Sequence, residues 1–401
     1  MPWASLLFDP PMKTLLFPEF FRDFDPDLKK QIDAACGFLR REYGARCRIV
    51  GGAVRDRLLG RRVKDVDLEI YGIDPKSFEE AMRRLGARGV GQSFFVYLLG
   101  DLDLALPRRE RKVAPGHRGF AVEPAYDERE ASRRRDFTVN ALLYDLEDQT
   151  VHDYWGGLKD LSLRRLRAVD PLTFREDSLR VLRAMRFAAQ LGFRVEEETC
   201  RICREIPLGD LPGSRIYGEF EKFFIASFPH YGLYELLRLQ IARRLWGETM
   251  GYEAFVALAR KMARVIPSSP ESLRLFCFLA QYRQYSGVSM ERILDTIDAP
   301  RRMRKALENL PEVPEHISAA FVAEQAKREG LNHSALGCFP DIRRKAKELG
   351  LWEKPLEIGV TPAELMARGF RSKALGEELE RLRRKKIEAM ELAEQSSRRD
   401  G

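Results

Sequence analysis

The sequence predicts an α+β head with a small mixed sheet, followed by an all-α remainder. Alternation of apolar and polar residues, as in VKDVDLEIYG, is confined to the part before Gly156-Gly157. Strand, glycine turn and helix follow one another at Gly51-Gly52. From about Pro171 onward no strand alternation recurs, and helical periodicity is broken only near Pro207 to Gly213, Pro267 to Pro270, Pro311 to Pro314 and Pro355 to Pro362. A chain of 401 residues, 44% of them hydrophobic, exceeds one hydrophobic core and fills several. An α+β head over 1–160 thus precedes an all-α remainder.

Taken in order, the spacing predicts an amphipathic helix over Phe20 to Tyr43 and a strand from Arg46 to Val50. A short helix from Ala53 to Leu59 ends at Gly60, and the next strand carries Asp65, Asp67 and Glu69 on its polar face. A helix at Pro75 to Leu85 precedes strands at Phe94 to Leu99 and Leu102 to Leu106. Between Arg108 and Arg135 the composition turns polar and is broken by proline and glycine, which reads as a long loop of the functional or disordered kind. Strand signal returns at Phe137 to Leu146, and the C-terminal residues form a charged helix that frays.

Lys and Arg number 69 against 61 Asp and Glu, a net charge of +8, which suits either a polyanionic partner or a merely soluble surface. The start, MPWASLLFDPPMK, lacks a basic segment followed by an uninterrupted apolar one, and no run reaches the ~20 apolar residues that span a bilayer. A cytoplasmic protein without membrane attachment is expected. Cys200 and Cys203 form a lone CxxC inside a helical stretch with no second pair, so buried free thiols are expected there in preference to zinc.

Asp65 and Asp67 stand two apart on a strand, so both carboxylates leave the same face and reach the same ions. Hard divalent cations take oxygen ligands, and paired ions clamp the attacking and leaving oxygens of phosphoryl transfer. Alone, the pair is more often a solvated strand face. The preceding Gly51-Gly52-x-x-Arg55-Asp56 changes that balance: glycine lets backbone N–H groups approach an anion, the following helix offers its positive end, and Arg55 adds a charge-assisted contact.

Together these residues, GGAVRDRLLGRRVKDVDLEI, resemble the signature of the class II tRNA nucleotidyltransferase and bacterial poly(A) polymerase superfamily. The resemblance runs from about Ile49 to Lys222 and more weakly to the C-terminus. It implies a magnesium-dependent nucleotidyltransferase head over 1–160, followed by a helical neck over 161–230, a body over 231–330 and a tRNA-binding tail over 331–401. Asp65 and Asp67 would then be catalytic and metal-holding, with a third carboxylate on the next strand, Asp103 preferred and Asp101 its rival. Gly51, Gly52, Arg55, Lys64 and Arg135 would take the triphosphate, and Asp136 and Asn140 in RRDFTVNA the ribose.

The stretch Glu176-Asp177-x-x-Arg180-x-x-Arg183-x-x-Arg186-Phe187 is similar to the family's base-reading helix. Asp177 and Arg180, three apart on one helix face, offer an acceptor and a donor; cytosine and adenine present the matching edge, whereas uracil and guanine do not. Gly157 and Asp160 resemble the family's hinge, and Arg215 and Glu219 its neck brace, all in supporting roles.

The resemblance implies complete CCA addition to tRNA 3′ ends from CTP and ATP. A-only addition and poly(A) synthesis share the motifs and remain open. GQSFFVYLL after the DxD helix lies closer to the tRNA enzymes, and the Arg111 to Arg134 loop favours A addition. The late segment from Gly359 resembles the tail that grips the tRNA elbow, and equally reads as a solvated amphipathic helix. No HD phosphohydrolase signature follows the neck, so a second activity is not expected. The rival of another class is a catalytically silent RNA-binding protein; oligomeric state is not legible.

Overall fold

A computed structural model describes residues 12–90, 96–112, 120–125, 127–267, 269–314 and 316–399. Two compact units are resolved by their internal packing, one made of residues 1–215 and 226–241, the other of 216–225 and 242–401.

In the first unit the order is β1 (Lys13–Leu16), α1 (Pro26–Tyr43), β2 (Arg46–Val50), α2 (Gly52–Leu58), β3 (Val66–Tyr71), α3 (Pro75–Leu85), β4 (Arg88–Gly89), β5 (Val96–Leu99) and β6 (Leu102–Ala105). There follow β7 (Arg108–Lys112), β8 (Phe120–Pro124), α4 (Glu128–Arg133), β9 (Leu143–Asp145), β10 (Thr150–Asp153) and α5 (Gly157–Ser162). Eight strands make one mixed sheet in the order β1-β10-β9-β2-β3-β6-β5-β4. Its single parallel pair is β3 with β6, because the chain leaves β3 through α3 before returning.

The elements form where local chemistry directs them. The Asp25 carboxylate caps α1 by accepting from the Asp27 and Leu28 amides, Pro26 sits in the first turn, and Gly44 ends the helix at φ 64°. Leu28, Ile32, Ala35 and Leu39 then fall on one buried stripe. The expected helix from Phe20 is therefore shorter: Pro18–Phe21 is a separate 3₁₀ turn, and Phe20 lies stacked on Tyr144 with centroids 4.0 Å apart.

Three other expectations change. The polar stretch after Arg108 carries a β7–β8 hairpin and α4, with Asp127 capping the helix, although 113–119 and 126 lie outside the described residues. Asp65 precedes β3, so only Asp67 and Glu69 belong to the strand, and Glu69 is buried. Residues 137–146, read as one strand, split into a 3₁₀ turn at Thr138–Asn140 and the short β9.

Beyond α5 come β11 (Arg165–Leu166), α6 (Pro171–Arg175), α7 (Leu179–Leu191), β12 (Arg194–Val195), α8 (Glu197–Glu205), α9 (Gly213–Phe224) and α10 (Pro229–Arg238). The two-residue β12 pairs with β11 where only helices were expected. Cys200 and Cys203 are buried in α8 and are not disulfide-bonded.

The second unit is helical: α11 (Ile241–Trp246), α12 (Tyr252–Val265), α13 (Arg274–Tyr282), α14 (Met290–Thr296), α15 (Arg301–Glu308), α16 (Ala319–Gln325), α17 (Pro340–Glu348), α18 (Pro362–Ala367) and α19 (Ser372–Arg399). Phe220, Phe224, Trp246, Phe278 and Tyr282 form its aromatic interior. Cys277 and Cys338 are joined by a disulfide that their 61-residue separation did not announce. Among the described residues no helix is long and apolar enough to cross a membrane.

Candidate active site

Gly51 closes β2 and opens α2 at φ 73° and ψ −129°, a conformation that strongly favours glycine. Space demands it as well, since a Cβ there would lie 2.7 Å from the Arg135 guanidinium and 3.6 Å from the Asp67 carboxylate. The turn thus stands directly against the charged groups of a cleft of about 440 Å³.

The residues of that cleft assigned from sequence come from four segments. Gly51, Gly52 and Arg55 come from the turn and α2, Asp67 from β3, Arg135, Asp136 and Asn140 from the stretch after α4, and Asp177, Arg180, Arg183 and Arg186 from α7 and its approach. Seven arginines and three aspartates line it, a balance suited to a polyanionic ligand. Arg108, Arg134, Phe187 and Gln190 also line it without having been assigned a role from sequence. Arg134 was legible as the neighbour of Arg135, and Gln190 stands one helical turn beyond Arg186, from which it accepts at 3.0 Å.

Asp67 and Asp103 are register partners on the parallel strands β3 and β6, so their side chains leave the same face. Desolvation raises the carboxyl of Asp67 against the pull of Arg135, with Glu69 and Asp65 adding repulsion. Desolvation, then Asp67 and Asp65, also raises Asp103. Asp101 sits in the turn before β6, its carbonyl accepting from the Val66 amide and its own N–H directed to Gln31. Asp65 and Lys64 are exposed and, like Asp103, are not among the residues lining the cleft.

Beneath this face, Glu69 accepts from Arg135 at 2.9 Å, Arg134 at 3.2 Å and the Tyr71 hydroxyl at 2.8 Å. Burial opposes its charge, but the two arginines prevail and hold its carboxyl below the ordinary range. Arg135 Nε is buried without a hydrogen-bond partner, leaving donor capacity beside the glycine turn.

The other expected ligand contacts are occupied internally. Arg55, 3% exposed, donates to Asn140 Oδ1 at 2.5 Å and grips Asp56 with Nε and Nη2 at 2.9 and 2.8 Å. Asn140 donates in turn to Asp136 Oδ1 at 2.9 Å, and Asp136 Oδ2 accepts from Arg183 at 2.8 Å. Burial works against the Asp136 charge, yet Arg183, the Asn140 amide and Arg180 hold that carboxyl well below its usual value.

Asp177 lies just outside α7, accepting from the Leu179 amide, and its carboxylate stands 3.9 Å from the Arg180 guanidinium. The shared helix face expected for this pair is therefore a capping residue beside the first turn. Arg180 donates to the Thr173 and Arg134 carbonyls at 2.8 and 2.5 Å, which ties α7 to the RRDFT segment.

The supporting residues separate into two groups. Asp160, fully buried, accepts from Thr138 at 2.7 Å and Arg167 at 2.8 Å and pairs with Arg165, while Gly157 approaches so closely that a Cβ would meet the Thr138 carbonyl oxygen at 2.3 Å. Arg215 is exposed near the start of α9, and Glu219 is buried on that helix.

The poly A polymerase head domain family matches residues 47–167. A multifunctional CCA protein of Stenotrophomonas maltophilia is 43% identical over 193 residues, covering 45% of this chain and 46% of that protein. A CCA-adding enzyme of Pseudomonas putida is 37% identical over 268 residues, 64% of this chain and 70% of that enzyme. The chain belongs to the CCA-adding enzyme family. It spans a little under half the length of several multifunctional CCA proteins it matches, 46% and 47% in two of them. In fold, it resembles the Thermotoga maritima CCA-adding enzyme complexed with tRNA, with a TM-score of 0.71 and 22% identity over 94% of this chain and 95% of that one. The segment matched by the head-domain family takes in the glycine turn, β3, β6 and the RRDFT stretch.

Proposed function

We propose that this protein is a cytoplasmic, magnesium-dependent nucleotidyltransferase that adds C and A, in the order CCA, to tRNA 3′ ends from CTP and ATP. The observation that carries the reading is the convergence of Asp67, the Gly51–Gly52 turn, Arg135 and the Asp177–Arg180 pair on one cleft.

The carboxylates fit a divalent cation: Asp67 and Asp103 offer hard oxygen donors in register, and their mutual repulsion is what a bound cation relieves. Among the described residues no three His, Cys, Asp or Glu side chains form a complete cage. Mg²⁺ is commonly held by one or two carboxylates with water and substrate phosphates, so two carboxylates suffice. When bound, the ion supplies Lewis-acid polarisation and lowers the barrier to attack by the tRNA 3′-hydroxyl on the nucleotide α-phosphate, with pyrophosphate leaving.

The protein's own groups orient the reactants. Glycine-turn N–H groups and Arg135 would hold the triphosphate, Asp136 and Asn140 would meet the ribose once released from their internal bonds, and Asp177 with Arg180 would read the base edge. Asp65 adds negative charge beside the two in-register carboxylates.

Purified protein is incubated with labelled CTP and ATP separately, on tRNAs ending before C, CC or A. The expected result is C addition to the first two and A addition to the third. Asp67→Ala and Asp103→Asn each lower incorporation by about three orders of magnitude while tRNA binding survives, and Asp101→Asn stays close to wild type. Persistent activity of Asp67→Ala refutes the assignment; long A tracts on any RNA replace it with poly(A) synthesis.

A further inference from the structure

Phe187 brings an apolar side chain to the arginine-rich lining of the cleft and is 6% exposed. Its ring lies close to three guanidiniums: Arg186 at 3.9 Å from the centroid, Arg183 at 5.1 Å and Arg55 at 5.3 Å. Arg55 is on α2, and the other two are on α7. Asp56 pairs with Arg55 and Asp136 with Arg183, and the aromatic face, negative by its quadrupole, offsets part of the repulsion that remains among the three cations.

The hydrogen bonds above the ring follow the same plan. Arg55 donates to Asn140, Asn140 to Asp136, and Arg183 to Asp136, so the circuit begins and ends at guanidiniums resting on one phenyl ring. Phe187 stands edge-on to Phe137 at 5.8 Å, Phe137 edge-on to Phe174 at 5.6 Å, and Arg180 lies 5.8 Å from the Phe174 centroid. An aromatic spine thus underlies four of the seven cleft arginines.

We propose that Phe187 is a positioning residue for the nucleoside triphosphate: its ring fixes the directions of Arg55, Arg183 and Arg186, and so sets in one geometry the positive lining that the ligand meets. The proposal rests on the nucleotidyltransferase reading given above. Aliphatic packing cannot substitute, since a leucine fills most of the volume and offers no negative face.

The test varies the electrostatics of the ring at constant shape. Phe187 is replaced in the full chain by phenylalanines carrying one, two and three fluorines, and separately by Leu and Tyr. Two quantities are read: KM and kcat for CTP and ATP, and the Kd of inorganic tripolyphosphate by titration calorimetry. Stepwise fluorination is expected to raise KM and the tripolyphosphate Kd in step, reaching about tenfold for the trifluoro ring and for Phe187→Leu, with kcat within about twofold and Phe187→Tyr near wild type. Unchanged KM and Kd across the fluorinated series overturn the proposal, and that series decides the matter even where Phe187→Leu fails to fold. A wild-type protein that binds tripolyphosphate but incorporates neither nucleotide overturns the nucleotidyltransferase reading instead, leaving the calorimetric arm to judge Phe187.

Discussion

The sheet-bearing unit and the long helix α19 are both rich in charge, yet they use it in opposite ways. Around the sheet of the former, ionic partners are buried or nearly so and come from distant parts of the chain: Arg48 joins Glu128 at 2.6 Å and Asp145 at 2.7 Å, and Glu69 joins Arg134 and Arg135. On α19 the exposed pairs are local, three or four residues apart, as with Lys373 and Glu377, while Glu380 and Glu394 reach Lys327 and Lys345 outside the helix. Burial makes each partner in the first set obligatory, because a lone charge left in a low-dielectric interior is costly. Solvent makes members of the second set interchangeable.

The largest stability effect is expected where that contrast is sharpest. Glu128, at the start of α4, accepts from Arg48, from Tyr154 at 2.9 Å, and pairs with His152 at 2.6 Å. Burial by itself would raise its carboxyl; the His152 and Arg48 contacts overcome this and bring it down to about 2. Because the folded value lies below the ordinary 4.5, this stabilisation is complete above about pH 5 and is lost as pH falls toward 2. Glu128→Gln should therefore lower urea-unfolding stability at pH 7 by about 3 kcal/mol and flatten the acid limb of the stability curve. An unaltered acid limb would show that Glu128 is not coupled to folding.

A steric version of the comparison comes next. Gly157→Ala places a methyl against a backbone carbonyl that cannot move aside, and about 2 kcal/mol of destabilisation is expected from the denaturation midpoint. Gly44→Ala, at φ 64° with open space around it, meets only the conformational penalty of about 1 kcal/mol. Equal losses at the two positions would mean that close approach to Thr138 contributes nothing. The smallest effect belongs to α19, where Lys373→Ala should leave the midpoint indistinguishable from wild type in low and high salt alike. A clear drop there would erase the distinction between the two regions.

The same contrast explains what could be read in advance. The glycine turn, Asp67 and the RRDFT stretch are legible because their chemistry requires fixed residue types at short spacing, and the strand Arg46 to Val50 and the helix Pro75 to Leu85 carry their periodicity and caps on their face. Other features depended on pairing across the fold. The resemblance already favoured Asp103 over Asp101, but that Asp103 lies in register with Asp67 while Asp101 sits in the preceding turn depends on the pairing of β3 with β6. The hairpin and α4 after Arg108 were hidden by polar composition, and the Cys277–Cys338 bond joins residues with no shared local pattern.

By itself, then, the sequence determined the run of elements around the glycine turn, the head-and-helices architecture and the family, since caps, turns and periodicity act over a few residues and leave their mark locally. Tertiary structure alone decided that Arg55 spends its guanidinium on Asp56 and Asn140, that Asp136 is clamped by Arg183, and that three arginines share the Phe187 ring. Those outcomes turn on which groups meet after the chain has folded, where desolvation forces every buried charge to find a partner and distance along the sequence no longer says which one it is.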